Sequence, residues 1–490
     1  MRQVTEINQV SSPTRSQSRA ISGRQIHSQT SAHSRSGEIN LRIIRQLRKG
    51  DSCCKQCKTQ LQFSHMPSSI NMIGGGRTAS STNRAKTFLV AIPSFDPSTE
   101  RKHSPKMAVK VIDNKTLTNQ KHKQLQSLNR MFRAQQRIQQ AEQRHVSSFN
   151  STQSSRRRFR AARASLPSDL IAYYDQATIP GIVKCHKLQN INTPAHLRWI
   201  ENGQETSATY EEGYTMVMNQ LIKPVDQQSE SVNIIPFLHQ QPLIKDQVQT
   251  ETKQETSQAS HEDQQIKLIR NLITKMFISL DRLHSEVHMS LLGIDIDKIL
   301  VGTLDEQPGE ELPFFNDLSR SHGLKELQQL DKHQIKDLFE DLKVNQKSRI
   351  FLPPEFNTIN DSFNSLQGDK VDIYQLGVLL LLLIRSVALG TPCLKSALPF
   401  GSASPYDPVY GLLYKGAEAQ MESFFALQIA QLKHLGRDTS ILEDKNLQLL
   451  ITSMIQPNPK KRPSALDILD SSSPLSVWLM NNNPNQDPNN

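Results

Sequence analysis

The sequence predicts an α+β protein in which a small β-rich part precedes a larger helical part. Residues 87–92 and 107–112 are short apolar runs rich in β-branched side chains, which is typical of strands. In residues 266–280 the apolar side chains instead recur at helical spacing, which predicts an amphipathic helix. Residues 378–384 are apolar on every side, as expected of a helix at the centre of a helical domain.

Length and composition predict one large domain with unstructured additions. The 490 residues exceed an average domain, and a hydrophobic fraction of 36% is low for a chain that is packed throughout. The net charge of +11 comes largely from the first third of the chain. Such a charge suits an acidic protein or a nucleic acid as partner, but a solvated basic tail is the simpler interpretation.

Both ends of the chain have the composition of disordered segments. Residues 1–66 are rich in Ser, Arg, Gln and His and show little apolar periodicity. We expect a disordered basic extension there, with a short helix over residues 39–47. Residues 479–490, rich in Asn and Pro, are predicted to be a disordered tail.

The cysteines indicate a reducing compartment, because there are five of them, an odd and low number. Cys54 and Cys57 form a CxxC pair that Cys53 and His65 would complete as a zinc site. No second pair follows at the spacing of a zinc ribbon, so the sequence predicts no metal.

The sequence also predicts an intracellular protein, cytoplasmic or nuclear, without a membrane span. The first residues lack the apolar core of a secretory signal. The longest apolar run, residues 378–384, is far shorter than the ~20 residues that a bilayer requires.

Two insertions interrupt the predicted domain. Residues 120–160 include a Gln- and Arg-rich stretch in which Leu125, Leu128 and Phe132 recur at helical spacing. Because its other faces are polar, we expect this helix to project from the domain. A basic run, residues 156–160, follows it and offers an acidic partner or nucleic acid a docking site. Residues 224–263 are rich in Gln, Glu, Ser and Thr, which predicts a loop.

A series of short motifs runs through the chain in a fixed order. It comprises a Gly-rich turn at 73–76, Met107-Ala108-Val109-Lys110, Met216-Val217-Met218-Asn219, residues 283–301, residues 313–319, Pro353-Pro354-Glu355, residues 372–377 and residues 459–463. In order and approximate spacing, the series resembles the eukaryotic protein kinase superfamily over about residues 68–478. The C-terminal motifs match more closely than the N-terminal ones.

This resemblance implies a bilobal protein-kinase-like fold. The small β-rich N-lobe would cover about residues 68–222, and the larger helical C-lobe about 264–478.

The resemblance also implies a nucleotide site for ATP. Gly74 and Gly76 would allow backbone amides to approach the phosphates, and Lys110 would hold the α- and β-phosphates. Met218 and Asn219 would lie at the back of the pocket and at the hinge.

Lys110 would pair with an acid on the following helix. Asp169 is the favoured partner because its spacing suits the family pattern. Glu142 is the alternative, but it would leave too long a connection.

The catalytic positions of the family are altered here. The base position holds Gly293, and the two metal-ligand positions hold Lys298 and Phe315. Asp295 and Asp317 are the nearby carboxylates that would have to substitute. Lys298 would neutralise phosphate in place of magnesium, which implies weak ATP binding with little use of Mg²⁺.

The residues that maintain the fold of the family are retained. Glu355 and Arg462 would form a buried ion pair, with residues 378–384 buried beneath it, and Asp372 and Gly377 would open the central helix.

The sequence therefore predicts a protein-kinase-like domain that is catalytically inactive, a pseudokinase. It would act as a protein-binding or regulatory scaffold, with another kinase as one candidate partner. The alternative is an active ATP-dependent Ser/Thr protein kinase with unorthodox catalytic residues.

Overall fold

The computed structural model describes residues 42–46, 85–91, 106–114, 121–148, 167–176, 178–201, 204–220, 222, 234–240, 254–304, 307–342, 346–356, 365–391, 397–414 and 418–480. All of them belong to one unit, Arg42–Asn490. Cys53, Cys54, Cys57 and His65 lie outside this description, as do the basic run 156–160 and the tail from 481 onward.

The structure has eleven strands in its described part. They are β1 Arg42–Gln46, β2 Ala85–Ala91, β3 Lys106–Asp113, β4 Cys185–Ile191, β5 Ala195–Glu201, β6 Gln204–Tyr210, β7 Tyr214–Gln220, β8 Met289–Ser290, β9 Ile299–Leu304, β10 Gln307–Phe315 and β11 His322–Gly323.

Thirteen α-helices are also present among the described residues. They are α1 Lys121–Ser148, α2 Ser168–Tyr174, α3 Ile234–Gln240, α4 Gln254–Arg282, α5 Leu324–Gln328, α6 Lys332–Leu342, α7 Gly368–Ala388, α8 Gly411–Tyr414, α9 Glu418–His434, α10 Ser440–Glu443, α11 Lys445–Met454, α12 Ala465–Leu469 and α13 Val477–Met480. A π-helical turn, Leu283–Val287, follows α4 directly.

Five strands form an antiparallel sheet in the order β1-β2-β3-β7-β4. The two strands predicted at 87–92 and 107–112 are β2 and β3 of this sheet. The expected helix over 39–47 is wrong, because Arg42–Gln46 is the edge strand β1 and pairs with β2.

Three two-stranded sheets complete the β structure of the described chain: β5 with β6, β9 with β10, and β8 with β11. Two backbone hydrogen bonds attach the end of β10 to the segment before β4. The Phe315 amide donates to the Gly181 carbonyl (2.8 Å), and the Val183 amide donates to the Phe315 carbonyl (3.1 Å).

Helix α1 packs onto the protein instead of projecting from it, so that expectation is wrong. Ala134, Ile138 and Ala141 are buried in the main apolar core, and Leu128 packs with Ile112 of β3. Together with the partly buried Met131, these small and apolar residues recur every three to four positions, which gives one continuous stripe that faces the core.

The predicted loop 224–263 is wrong in two places, because residues 254–263 belong to helix α4 and a further helix lies in the middle of the segment. Residues Ile234–Gln240 form α3, and Ile234, Ile235, Phe237 and Leu238 are buried in the main core. Burial of these four apolar side chains stabilises the helix, although the polar composition of the surrounding segment predicts a loop.

Helix α7 lies at the centre of the helical part and packs against α4 and α11. Its residues 378–384 are all buried, as predicted. By length and hydropathy it is the one helix of the described chain that could cross a membrane, yet protein surrounds it completely, as in a core helix. The described chain is thus mostly helical with small antiparallel sheets, within the predicted α+β class.

Candidate functional site

Asp372 organises the chain segment around Gly293, the residue at the predicted base position. It lies in the first turns of α7 and is fully buried. Its carboxylate accepts hydrogen bonds from the Leu291 amide (2.8 Å), the Leu292 amide (2.8 Å) and His284 Nε2 (2.9 Å). Three donors satisfy a buried carboxylate that would otherwise be costly to desolvate.

The loop bound by Asp372 has an unusual backbone. His288 and Leu292 adopt positive φ angles of 55° and 51°, which are rare for residues other than glycine. Gln375, one turn further along α7, accepts a hydrogen bond from the Ile294 amide at 2.9 Å. Helix α7 therefore holds both sides of Gly293 by side-chain acceptors, which compensates for the backbone strain.

Gly293 lies against two cationic side chains. A Cβ atom added there would be 3.1 Å from Lys298 Nζ and 3.2 Å from Arg320 Cδ. The space beside Gly293 is therefore occupied by the ammonium group of Lys298 and the aliphatic part of the Arg320 side chain.

Lys298 forms a buried ion pair with Asp317, with Nζ 3.3 Å from Oδ2. The other oxygen of Asp317 accepts a hydrogen bond from the Ser319 amide at 2.8 Å. Burial lowers the pKa of Lys298, and the nearby Asp317 carboxylate opposes that shift. The second carboxylate in this group, Asp295, caps the short turn Ile296–Lys298 by accepting from the Asp297 amide at 3.0 Å.

Burial also raises the pKa of Asp295, while Lys298 and Arg320 act in the opposite direction. Two basic and two acidic side chains, Lys298, Arg320, Asp295 and Asp317, thus share one region. We call these four residues the charged cluster. Arg320 was not among the predicted site residues, and no local motif marks it.

Phe315 belongs to the apolar core and offers no ligand atom. Its side chain is buried, and its backbone bonds connect β10 to residues 181–183. The next amide, that of Asn316, donates to the Lys298 carbonyl at 2.9 Å. The two predicted metal-ligand positions are therefore brought together, although their side chains are a phenyl ring and an ammonium group.

The expected ion pair between Glu355 and Arg462 is present. Arg462 Nη1 and Nη2 lie 2.7 Å and 2.6 Å from the two carboxylate oxygens, and both residues are buried. Arg462 also donates to the carbonyls of Gln456 (2.8 Å) and Lys370 (3.1 Å). The ion pair thus connects the segment after α6 to the start of α7 and to the turn before α12.

Lys110, Met218 and Asn219 lie on neighbouring strands of the five-stranded sheet. The register pairs Lys110 with Val217, Val109 with Met218, and Ala108 with Asn219. The side chains of all three predicted site residues lie outside the description, and so do Gly74 and Gly76. Asp169 lies in α2, and its side chain is likewise undescribed, so its pairing with Lys110 stays a prediction.

Glu142, the alternative partner for Lys110, has a different role in its described contacts. Its Oε1 accepts a hydrogen bond from the Ile179 amide at 2.9 Å and lies 3.8 Å from Lys184 Nζ. It therefore fastens α1 to the segment that leads into β4. Gln135 reinforces this attachment by accepting from the Cys185 amide at 3.2 Å.

The described residues contain no group of three or more His, Cys, Asp and Glu side chains that could hold a metal ion. The site instead contains the charged cluster, in which two basic and two acidic side chains offset one another's charge. No model of a known protein family matches the chain, and a comparison with curated proteins finds no significant similarity.

Proposed function

We propose that this chain is a bilobal protein-kinase-like domain that transfers no phosphate and acts by binding another protein. The observation that carries the proposal is the ion pair between Lys298 and Asp317 beside Gly293. By the order of the motifs, Lys298 occupies one metal-ligand position of an active kinase and Gly293 the position of its base, while Asp317 lies two residues after Phe315, the other metal-ligand position.

The charges of this region argue against magnesium-dependent chemistry. An active kinase holds Mg²⁺ with an Asp and an Asn, and a second Asp orients the attacking hydroxyl. Here the ammonium group of Lys298 lies 3.3 Å from Asp317 Oδ2, so a metal ion bound by Asp317 would have to displace or repel it. The residues present do not fit a magnesium ion.

The structural interactions around Gly293 and Lys298 support the kinase-like part of the proposal. Asp372 binds the two amides that precede Gly293, and the Glu355–Arg462 pair anchors the segment beyond α6. An antiparallel sheet precedes the helical part in the chain, in the order that a kinase-like fold requires. Structural interactions are kept while the reactive groups are replaced, which suits a binding role.

ATP is the expected ligand, bound weakly and without a requirement for Mg²⁺. Lys110 lies on β3 next to β7, which carries Met218 and Asn219, as a nucleotide pocket of this class requires. The positive charge of Lys298 would stand in for the metal charge near the phosphates. For the protein partner, another kinase remains one candidate, and the basic first third suits an acidic partner or nucleic acid.

The test is a phosphotransfer assay with the full chain, labelled ATP, Mg²⁺ and a generic protein acceptor. We expect no transfer above background, because base and metal-ligand positions are replaced together and one neighbour cannot supply all three functions. Asp317→Asn and Asp295→Asn variants are measured in parallel, with Asp337→Asn on the exposed face of α6 as the matched control.

Robust transfer would overturn the inactive assignment. If Asp317→Asn or Asp295→Asn then abolished it and Asp337→Asn did not, the chain would be an active Ser/Thr kinase with substituted catalytic groups. A shared loss in all three variants would instead indicate a general effect on folding, which the melting temperatures would reveal.

A further inference from the structure

Helix α1 meets strand β11 and helix α5 through a contact that places a histidine among charged groups. His322 of β11 is half-buried, and its Nε2 atom lies 3.5 Å from Arg130 Nη1 of α1. Four residues after His322, Glu326 of α5 is paired with Arg137, which lies about two turns beyond Arg130 on α1. We call these four residues the α1–α5 contact.

The two ring nitrogens of His322 make contacts that require the neutral imidazole. Nδ1 lies 2.7 Å from the Arg320 carbonyl oxygen, which can only accept, so Nδ1 carries the proton. The guanidinium group of Arg130 can only donate, so Nε2 faces it as an acceptor without a proton. A proton added to Nε2 would therefore bring two cations to within 3.5 Å of each other.

The groups that face His322 make that proton costly. Burial lowers the pKa of His322, and Arg130 and Arg137 of α1 lower it further, while the Arg320 carbonyl and Glu326 of α5 act in the opposite direction. Glu326 is already engaged, because it pairs with Arg137 and accepts from the amide that follows His322. Strand β8, which pairs with β11, contributes no charged side chain.

The contact connects α1 to the loop around the predicted base position. Glycine at position 323 allows Arg137 to lie against the backbone of β11, since an added Cβ atom would be 2.6 Å from Arg137 Nη1. Strand β11 pairs with β8, and β8 leads directly into Leu291 and Leu292, whose amides are bound by Asp372. A change at the α1–α5 contact thus acts on a strand that borders this loop.

We propose that the α1–α5 contact is an acid-sensitive switch, which holds α1 against β11 and α5 at neutral pH and releases it when His322 takes up a proton. The pKa of His322 in the closed contact is lower than that of an exposed imidazole, which is about 6.5. The contact is therefore complete above about pH 6.5 and is lost as pH falls through the pKa of the closed form. This regulation goes beyond the proposed function and involves neither ATP nor phosphotransfer.

The experiment measures amide hydrogen exchange of α1 in the full chain, at about pH 7.5 and about pH 5, by mass spectrometry. Wild type is compared with His322→Gln, whose amide can donate and accept but does not titrate. Comparison at the same pH removes the intrinsic pH dependence of exchange. We expect equal exchange of residues 126–144 at the higher pH and an exchange at least about threefold faster in wild type at the lower pH.

A second variant separates titration from simple loss of a contact. Arg130→Met removes the cation that opposes protonation, so the difference between exchange at the two pH values should shrink. A merely structural role of Arg130 would instead raise exchange equally at both pH values. His333→Gln, which removes an exposed histidine from α6, is the matched control and should respond to pH as wild type does.

Equal exchange of α1 in wild type and His322→Gln at both pH values would overturn the inference. A loss of the acid response in His333→Gln as large as that in His322→Gln would also overturn it. If His322→Gln exchanges rapidly at both pH values, Arg130→Met decides, because an undiminished acid response in that variant contradicts the switch. No nucleotide is present in these measurements, so failure here and failure of the proposed function are separable.

Discussion

Glu355 and Arg462 lie 107 residues apart in the chain and meet as a bidentate ion pair. Arg462 also lies over the Tyr374 ring, with its guanidinium carbon 5.0 Å from the ring centroid. Because both charges are buried, each depends on the other to offset the cost of leaving water. This dependence makes the pair a sensitive residue-scale probe of the helical part.

Arg462→Met should lower the free energy of unfolding by about 3–5 kcal/mol, since it leaves the Glu355 carboxylate buried and unpaired. Adding Glu355→Met to that variant should recover part of the loss, because no uncompensated charge remains. The measurement is equilibrium unfolding in urea.

The control for this prediction is the exposed pair of Lys433 and Glu443, 2.9 Å apart. Lys433→Met should change stability very little, because solvent screens that pair. A loss in Lys433→Met as large as that in Arg462→Met would contradict the argument from burial.

Asp281 predicts a dependence of stability on pH. It is buried and accepts a hydrogen bond from the Tyr174 hydroxyl at 2.9 Å, while burial raises its pKa to about 6. Since the pKa in the folded protein exceeds the unfolded value, the contribution of Asp281 is fully present below about pH 4 and is lost as pH rises through 6.

Wild-type protein should therefore lose about 3 kcal/mol of stability from this residue between pH 4 and 7, relative to Asp281→Asn. The variant keeps an acceptor for the Tyr174 hydroxyl but cannot ionise. Urea unfolding of both proteins across this pH range isolates the contribution of Asp281. Parallel stability curves for the two proteins would show that it does not titrate as argued.

At the scale of elements, α7 depends on close contact with α11. A Cβ atom added to Gly377 would be 2.7 Å from Met454 Cβ and 2.9 Å from Ile455 Cγ2. The first of these atoms is fixed to the backbone of the neighbouring helix, so the helices would have to separate. Glycine at position 377 therefore allows the two helices to approach closely, although glycine has a low helix propensity.

Gly377→Ala should destabilise the protein, because overpacking costs about 1–3 kcal/mol and helix propensity returns only about 1 kcal/mol. Gly377→Val should cost more, since the added volume meets the same atoms. Thermal and urea unfolding of the two variants test this order. A stabilising effect of Gly377→Ala would mean that propensity outweighs packing here.

At the scale of the whole molecule, the charged cluster and the five-stranded sheet predict how the protein responds to nucleotide. If ATP binds the folded chain as proposed, a 100-fold excess over the dissociation constant adds about 2.7 kcal/mol of stability. We expect a small rise in melting temperature at millimolar ATP, equal with Mg²⁺ and with EDTA, and lost in Lys110→Ala. A shift that requires Mg²⁺ and survives Lys110→Ala would contradict the proposed use of Lys298.

Local sequence patterns predicted those features in which local preference and tertiary packing agree. Strands β2 and β3, the buried stripe of α4 and the buried stretch of α7 follow directly from apolar spacing. The Glu355–Arg462 contact was predicted through the order of motifs, because that order carries long-range information which composition lacks.

Other features depended on partners that are distant in the chain. Arg42–Gln46 is a strand because β2 offers it an edge to pair with, and Ile234–Gln240 is a helix because the core accepts its apolar side chains. The position of Arg320 beside Gly293 likewise follows from packing, since no local pattern places two residues 27 positions apart in contact.

The sequence by itself thus determined the main helices and strands, the residue types at the predicted site positions and the basic character of α1. These properties depend on residue identity and on neighbours within a few positions. Only the tertiary structure decided that α1 packs inward through Glu142 and Gln135, and that Lys298 pairs with Asp317. Those contacts join segments far apart in the chain, and their energies depend on burial that exists only after folding.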